Sequence, residues 1–466
     1  MRLADTAGLR RSYISFNSAL ASLYENDLLE LADATDSSRS ALPEGAKNPT
    51  FDDTAFFDAA GMVYNAGGFD ALQLNTPEAR RLIAETVKQL NTAISSGVPH
   101  EVPEVVRYAL ENNAFIFSGF KAYHTLREVG LSLTTDKGDI KPFETFRKDV
   151  EQVNNRYNHN YLHTEYQFAV SSAIMADKWA QFEREADRYD LQYRTAQDNL
   201  VRPSHAILHG TTLPVHDPFW KEYFPPNGWW CRCNVVQVRK DKYSESDPDL
   251  AMLRGKNCTE AAKQQIFRFN PGKELKLFPP KHPYYKAPEA AKQVIEQQAK
   301  EREEHFAEYE RLKADPNYTD VEFDLVSGGV KASHIEHNFN AVGGKYELEV
   351  QSAGYRSGHV VIFGPENSSM FKKRHTEGTW DGLQFEVAGR ETATTNNIKR
   401  GLEHCADKKT TQVAVLDFPN GGFSIDKFNT ALRRYMGLEK LNDGQFLRFK
   451  KIICVQMGQI VHAVEL

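Results

Sequence analysis

YRTAQDNLVRPSHAILHGTTLPVHDPFWKEYFPPNGWWCRCNVVQV, residues Tyr193–Val238, gathers three of the chain's five Trp, two of its five Cys and three His. Pro225-Pro226-Asn227-Gly228 interrupts it, so no continuous amphipathic helix can run through; a compact, irregular element is expected. Within it, His205 and His209 stand four residues apart, which on a helix places both imidazoles on one face. Cys231 and Cys233 flank a single Arg. These are zinc-ligand types, and His205, His209, Cys231 and Cys233 form the candidate zinc set. The spacing is unorthodox, because two Cys one residue apart in a strand would point to opposite faces. The alternative is that the thiols are small buried hydrophobes and the imidazoles satisfy backbone groups around a Pro- and Trp-rich turn.

Outward from this stretch, composition sets the bounds. A chain of 466 residues exceeds one ordinary hydrophobic core, so two or three domains are expected. Hydrophobic content of 41% and charged content of 26% are those of a globular protein, and no apolar run of about 18 residues is long enough to span a bilayer. The N-terminus lacks the continuous apolar segment of a secretory signal, so synthesis in a cytoplasm is expected. Five scattered Cys do not make a disulfide framework. A net charge of -6 argues against a protein that is basic throughout and coats nucleic acid, while leaving room for a local basic groove.

Upstream, helical periodicity dominates. In PEARRLIAETVKQLNTAISSG, Leu82, Ile83, Val87, Leu90 and Ile94 recur at helical spacing, with Pro77 in the first turn and Gly97 at the end. Residues 102–131 and 146–185 repeat the pattern. Residues 1–192 are therefore read as a helical region, 193–285 as an irregular α+β core, and 286–318 as a charged helix with a thin apolar stripe, a solvated connector. Beyond it, HVVIF, LQFEV, QVAVLDF and KKIICVQMGQIVHAVEL alternate with NNIKRGLEHCAD and DKFNTALRRYMG, which predicts a separate α/β domain over 319–466. The fold class is thus multidomain.

The run from Tyr193 to Val238 resembles the signature of the phage Mu F-like head morphogenesis proteins, minor capsid components. The shared pieces are the Arg-x-His element, a Gly, an apolar strand with Asp, then Pro-Pro-Asn-Gly-Trp and Cys-Arg-Cys. Relatives can carry Asp at the position of His209. The resemblance implies a protein present in few copies in the procapsid or at the portal vertex of a phage or prophage. It would act in head assembly or DNA injection, with portal and major capsid proteins as partners and no membrane. No phosphate-binding Gly loop and no Gly-x-Ser-x-Gly elbow is present, which disfavours a packaging ATPase or a serine hydrolase.

In the C-terminal region, Asp381 precedes a strand, Glu386 lies within it, and Glu347 sits in the helix before. Clustered carboxylates at the head of a strand can bind Mg²⁺ and activate water for phosphodiester cleavage. Asp381-Gly382 is equally a hairpin turn signal. The order of these pieces resembles the tRNase domains of contact-dependent inhibition toxins, with a PD-(D/E)xK-type nuclease core. That resemblance implies RNA, tRNA above all, as substrate and a cognate immunity protein as partner. Where such domains show Glu-x-Lys, this chain has Glu386-Val387-Ala388, so Arg390 or Lys399 would have to supply the cation. Thr394 to Asn397 would open the next helix, with backbone N–H groups toward a phosphate. Two alternatives remain: an inactive binding module, or an RNase of the barnase-EndoU-colicin-RelE group with His359, His375 or His404 as acid and base. His334 and His337 are read as a solvated loop, and Lys372-Lys373-Arg374-His375 as a solvated turn.

Overall fold

The computed structural model describes residues 13, 15–24, 49–98, 102–135, 137–339, 344–365, 376–408, 410–440 and 449–466. The chain divides into two compact units, Met1–Ala299 and Lys300–Leu466. The basic cluster at 372–375 lies outside the described residues. No helix among the described residues is long and apolar enough to cross a membrane.

The first unit is led by helices α1 (Asp53–Asn65), α2 (Pro77–Gly97), α3 (Glu104–Leu131), α4 (Phe143–Asn154) and α5 (Leu162–Arg184). Helix α2 has the bounds its sequence predicts: Thr76 accepts a hydrogen bond from Ala79 N, Pro77 occupies the first turn, and the Leu82-to-Ile94 stripe is buried. A Cβ on Gly97 would stand 2.7 Å from Val170 O, so only Gly lets α2 approach α5 this closely. The single helix expected over 146–185 is split by a π-helical segment, Asn155–Tyr161. Asn154, Asn155, Asn158 and Asn160 are weak helix formers there, and two of them find side-chain partners instead. Asn158 donates to Asn154 Oδ1 at 2.8 Å, and Asn154 donates to Asp53 Oδ1 of α1 at 2.8 Å.

Strands β1 (Tyr189–Arg194), β2 (Thr212–Pro214) and β3 (Asn234–Arg239) follow, antiparallel in the order β2-β1-β3, then α6 (Pro248–Cys258). The boundary expected at 193 falls inside β1, and hydrophobic packing runs across it. Trp229 stacks 5.1 Å from Tyr24 and meets Phe168 of α5 edge-on at 4.8 Å, while Phe278 stacks 3.7 Å from Phe117 of α3. A second cluster packs Trp220, Phe224 and Tyr193 against Trp179 and Phe182 of α5. Burying aromatics of the irregular stretch against the helices is what joins them into one unit.

Inside the helical core lies a polar network. Lys121 of α3 pairs with Glu165 of α5 at 2.5 Å, with side chains 1% and 0% exposed. The Tyr24 hydroxyl donates to the other Glu165 oxygen at 2.7 Å and lies 3.2 Å from His282 Nε2. His282 Nδ1 accepts from Tyr284 N, so its proton sits on Nε2 and points at Tyr24. Burial first, then the charges of His124 and Lys121, push His282 far below the usual imidazole range.

Helix α7 (Glu289–Ala314) contains the boundary between the units. Its stripe is buried rather than solvated at Val294, Ile295 and Leu312. In the second unit, β4 (Tyr318–Phe323) to β11 (Gln459–Glu465) form one eight-stranded sheet whose spatial order is the chain order. Strands β5 (Val330–His334) and β6 (Val360–Phe363) are parallel, as are β8 (Leu383–Gly389), β9 (Val413–Phe418) and β10 (Lys451–Gln456); the remaining neighbours are antiparallel. Each parallel pair is bridged by a helix, α8 (Gly344–Arg356), α9 (Thr395–Asp407) or α10 (Ile425–Lys440), as a crossover requires. Period-2 alternation sorts the sheet's two faces. Phe385, Val387, Val413 and Val415 pack with α8, and Ala388, Ala414, Leu416 and Phe418 pack with α9 and α10.

Candidate functional site

In the first unit, a one-turn helix begun by Pro203 carries His205, and the loop leaving the Pro-Pro-Asn-Gly turn carries the two Cys. Asn227 holds that turn: it accepts from the Tyr193 hydroxyl at 2.7 Å and donates to Phe224 O. Trp230 then adopts φ +59°, a left-handed conformation that turns the chain sharply just before Cys231. Because β3 begins only at Asn234, the Cys residues are not in the strand, and both sulfurs turn to the same imidazole. Cys231 Sγ and Cys233 Sγ each lie 3.6 Å from His205 Nδ1. His209 is elsewhere: its Nδ1 accepts from Thr195 N at 3.2 Å and lies 3.0 Å from Thr195 Oγ1. Of the four candidate ligands the structure therefore unites three. Asp217 caps a turn by accepting from Phe219 N. The cavity beside the cluster is lined by Leu200, Val201, Arg202, Trp230 and Arg232. Arg202 donates to Trp229 O at 2.7 Å, and Arg232 grips Asp198 with two hydrogen bonds of 2.6 and 2.8 Å.

In the second unit, the three carboxylates singled out from sequence are not gathered together. Asp381 and Gly382 form the β7 (Gly378–Trp380) to β8 turn, with φ +48° and +76°, the two positive values of a type I′ hairpin. The Asp381 carboxylate accepts from Val360 N at 2.9 Å and from His359 Nδ1 at 2.8 Å. Burial pushes its pKa up, but His359 and the Val360 N–H outweigh that and hold it below the usual range. Glu347 stands in the first turn of α8, whereas Glu386, 1% exposed, points to the opposite face with Ala388.

What links Glu347 to Glu386 is a pair of residues the sequence reading passed over, Glu377 and Lys408. Glu377, just ahead of β7, comes within 4.8 Å of both Glu347 and His337, ligand atom to ligand atom. Lys408, at the end of α9, places Nζ 2.8 Å from Glu377 Oε1 and 2.8 Å from Glu386 Oε2. His404, one turn earlier, lies 3.5 Å from the other Glu386 oxygen. The signal for Lys408 was its four-residue spacing from His404, which puts both on one helix face. Arg390 donates to Gly389 O and Lys399 pairs with Glu403 at 2.6 Å, so the cation on Glu386 is neither of these. The solvated loop expected at His337 is corrected: its side chain is fully buried, between Gly364 O at 3.0 Å and Glu347 Oε2 at 3.1 Å. Burial, then Glu377, raises the Glu386 pKa against the pull of His404 and Lys408. Burial lowers that of Lys408, but Glu386 and Glu377 more than offset it and the net direction is up. Thr394 opens α9 as expected, although its hydroxyl takes the Asn397 N–H for itself.

One more carboxylate stands apart. Asp417, near the end of β9, is fully buried, and burial followed by the charge of Glu349 pushes its pKa up to about 7 against the pull of the Phe418 backbone N–H. A raised carboxyl pKa means the folded state holds the proton more tightly, so its contribution is intact below the ordinary value of 3.8 and is lost as pH rises toward 7. Asp417→Asn is thus expected to raise the thermal midpoint at pH 8, by a free energy on the order of a few kcal/mol, and to leave it nearly unchanged at pH 4. An equal shift at both pH values would contradict a protonated Asp417.

The helices α4 and α5, the turn and both Cys fall within one recognisable segment. Residues 141–236 match the family model of Phage Mu protein F like protein. The chain is also similar to the putative capsid assembly protein F of Escherichia phage Mu, at 41% identity over 85 residues, 18% of this chain and 19% of that protein. It is likewise similar to the Mu-like prophage FluMu F protein of Haemophilus influenzae, at 34% identity over 93 residues, 18% of this chain and 22% of the relative. The match thus spans about a fifth of each curated relative's length. No solved structure matches the chain.

Proposed function

We propose that this chain is a phage head protein that acts in capsid assembly or DNA injection, with portal and major capsid proteins as its partners. The observation that carries the reading is the Mu F-like segment, together with the likeness to a phage Mu protein named for capsid assembly. The physical character of the segment suits a docking element. Its turn is fixed by proline, Asn227 and buried aromatic anchors such as Phe224 and Trp229, so little conformational entropy is lost when a partner binds. The location that follows is the virion, with the host cytoplasm as the site of assembly. Mass spectrometry of purified particles from a phage or prophage encoding the chain is expected to find its peptides at a small fraction of the major capsid protein. Full, infectious heads formed without the gene would overturn the reading.

A second reading concerns the second unit: a Mg²⁺-dependent RNase, tRNA being the substrate class and an immunity protein the natural partner. It is favoured by the continuous group His337, Glu347, Glu377, Lys408 and Glu386. Glu347 and Glu377 offer hard oxygen ligands to a divalent cation, which would lower the pKa of a bound water. Lys408 supplies the positive charge that Ala388 does not, placed to stabilise a phosphate in the transition state. Ala388 faces the apolar layer under α9, where a Cβ on Gly401 would stand 3.5 Å from its own Cβ, so a Lys there would have no room. This placement weakens the case for an inactive binding module. For the barnase-like alternative, His359 is held by Asp381 and His404 lies 3.5 Å from Glu386, while His375 lies outside the described residues.

A further inference from the structure

The geometry points to a zinc ion held by three side chains of the Mu F-like segment, His205, Cys231 and Cys233, with its fourth position open to the adjoining cavity and filled by water. This inference stands independently of the head-protein reading. Zinc bonds of about 2.3 Å to sulfur and about 2.0–2.1 Å to nitrogen, at tetrahedral angles, place a nitrogen and a sulfur ligand about 3.6 Å apart. His205 Nδ1 meets that separation twice, once to each sulfur. Hydrogen bonding alone does not account for both contacts, because an imidazole nitrogen offers a single in-plane direction, either one lone pair or one proton. A metal on that direction, shared by the two sulfurs, satisfies all three atoms.

The surroundings agree. His205 is 3% and Cys231 5% exposed and Cys233 is half-buried, so two of the three ligands are withdrawn from water and the third borders the cavity. Two thiolates and one neutral imidazole leave Zn²⁺ with no net charge to bury. Among the described residues no fourth His, Cys, Asp or Glu joins the group, so the open position faces the cavity beside Val201 and Trp230. The ion would tie the one-turn helix at 203–206 to the entrance of β3, which otherwise depends on the Asn227 turn.

The test uses the full-length chain purified under reducing conditions and titrated with Zn²⁺ alone, then with Co²⁺. Expected are about one tightly bound equivalent and, with Co²⁺, thiolate-to-metal charge-transfer absorption. That absorption requires sulfur, so it does not report on the His337, Glu347 and Glu377 group. Cys231→Ser, Cys233→Ser and His205→Ala should each weaken binding by at least about tenfold, while His209→Ala keeps the equivalent and the spectrum. If the Ser variants do not fold, the cobalt spectrum of the wild-type chain still decides. Absence of the thiolate band, a Cys231–Cys233 disulfide in the reduced preparation, or loss of metal in His209→Ala would each overturn the assignment.

Discussion

Lys121→Met is expected to destabilise the first unit by about 3–5 kcal/mol, the usual result of removing one partner from a fully buried ion pair. The replacement keeps most of the side-chain volume, so the effect is electrostatic rather than a cavity. Glu165 would be left without its cation, holding only the Tyr24 hydroxyl at 2.7 Å. Burial lowers the Lys121 pKa and Glu165 raises it, with burial the stronger, so the ammonium is tolerated only because Glu165 is beside it. Tyr24 itself stacks on Tyr161 at 4.1 Å and Trp229 at 5.1 Å, so disturbance of the pair reaches the Mu F-like turn. Chemical denaturation followed by tryptophan fluorescence measures the loss. The double variant Lys121→Met, Glu165→Leu should recover most of it, because an apolar pair needs no neutralisation. A double variant as unstable as the single one would show that the helices need the charges themselves.

Lys408→Ala carries the largest expected change in activity. If the second unit is an RNase, the wild-type chain with Mg²⁺ cleaves RNA, and losing the cation lowers the rate by on the order of 10²- to 10³-fold, as for removal of one transition-state donor. Glu377→Gln should fall comparably, because it takes one oxygen ligand from the metal position. Asp381→Asn should stay within a few-fold of wild type, since Asp381 serves the hairpin turn and His359 rather than the cluster. Stability is measured alongside, because Lys408→Ala leaves Glu386 buried beside Glu377; adding Glu386→Gln should restore the midpoint without restoring cleavage. No cleavage by the wild-type chain would reject the RNase reading and leave the unit as a binding module. Equal activity in Lys408→Ala would reject the role of Lys408.

The helices were legible wherever a local rule governs them. Thr76, Pro77 and the Leu82-to-Ile94 stripe delimit α2 without reference to the rest of the chain, because capping and periodicity act within a few residues. Strands β6, β8 and β9 were legible as apolar runs for the same reason. Strands β4, β5 and β7 were not: β7 has three residues and β4 is largely polar, so each exists by pairing with a neighbour rather than by its own propensity. The break at Asn155–Tyr161 was missed because apolar spacing continues through it, while the Asn side chains that favour another winding only meet their partners in the fold.

For the candidate sites, the sequence by itself determined the ingredients: a His, two Cys and a proline-fixed turn in one segment, and acidic residues near the strands of another. Tertiary structure decided which of them meet. His209 was set aside because Thr195 claims its ring, and Cys231 and Cys233 converge because the chain turns at Trp230 before β3 begins. Glu347 and Glu386 were separated by the alternation of the sheet, then reconnected through Glu377 and Lys408, which are 31 residues apart in the chain. Residue type and local spacing are short-range information. Opposition across a sheet and charge neutralisation at its end depend on strand pairing, which no local pattern specifies.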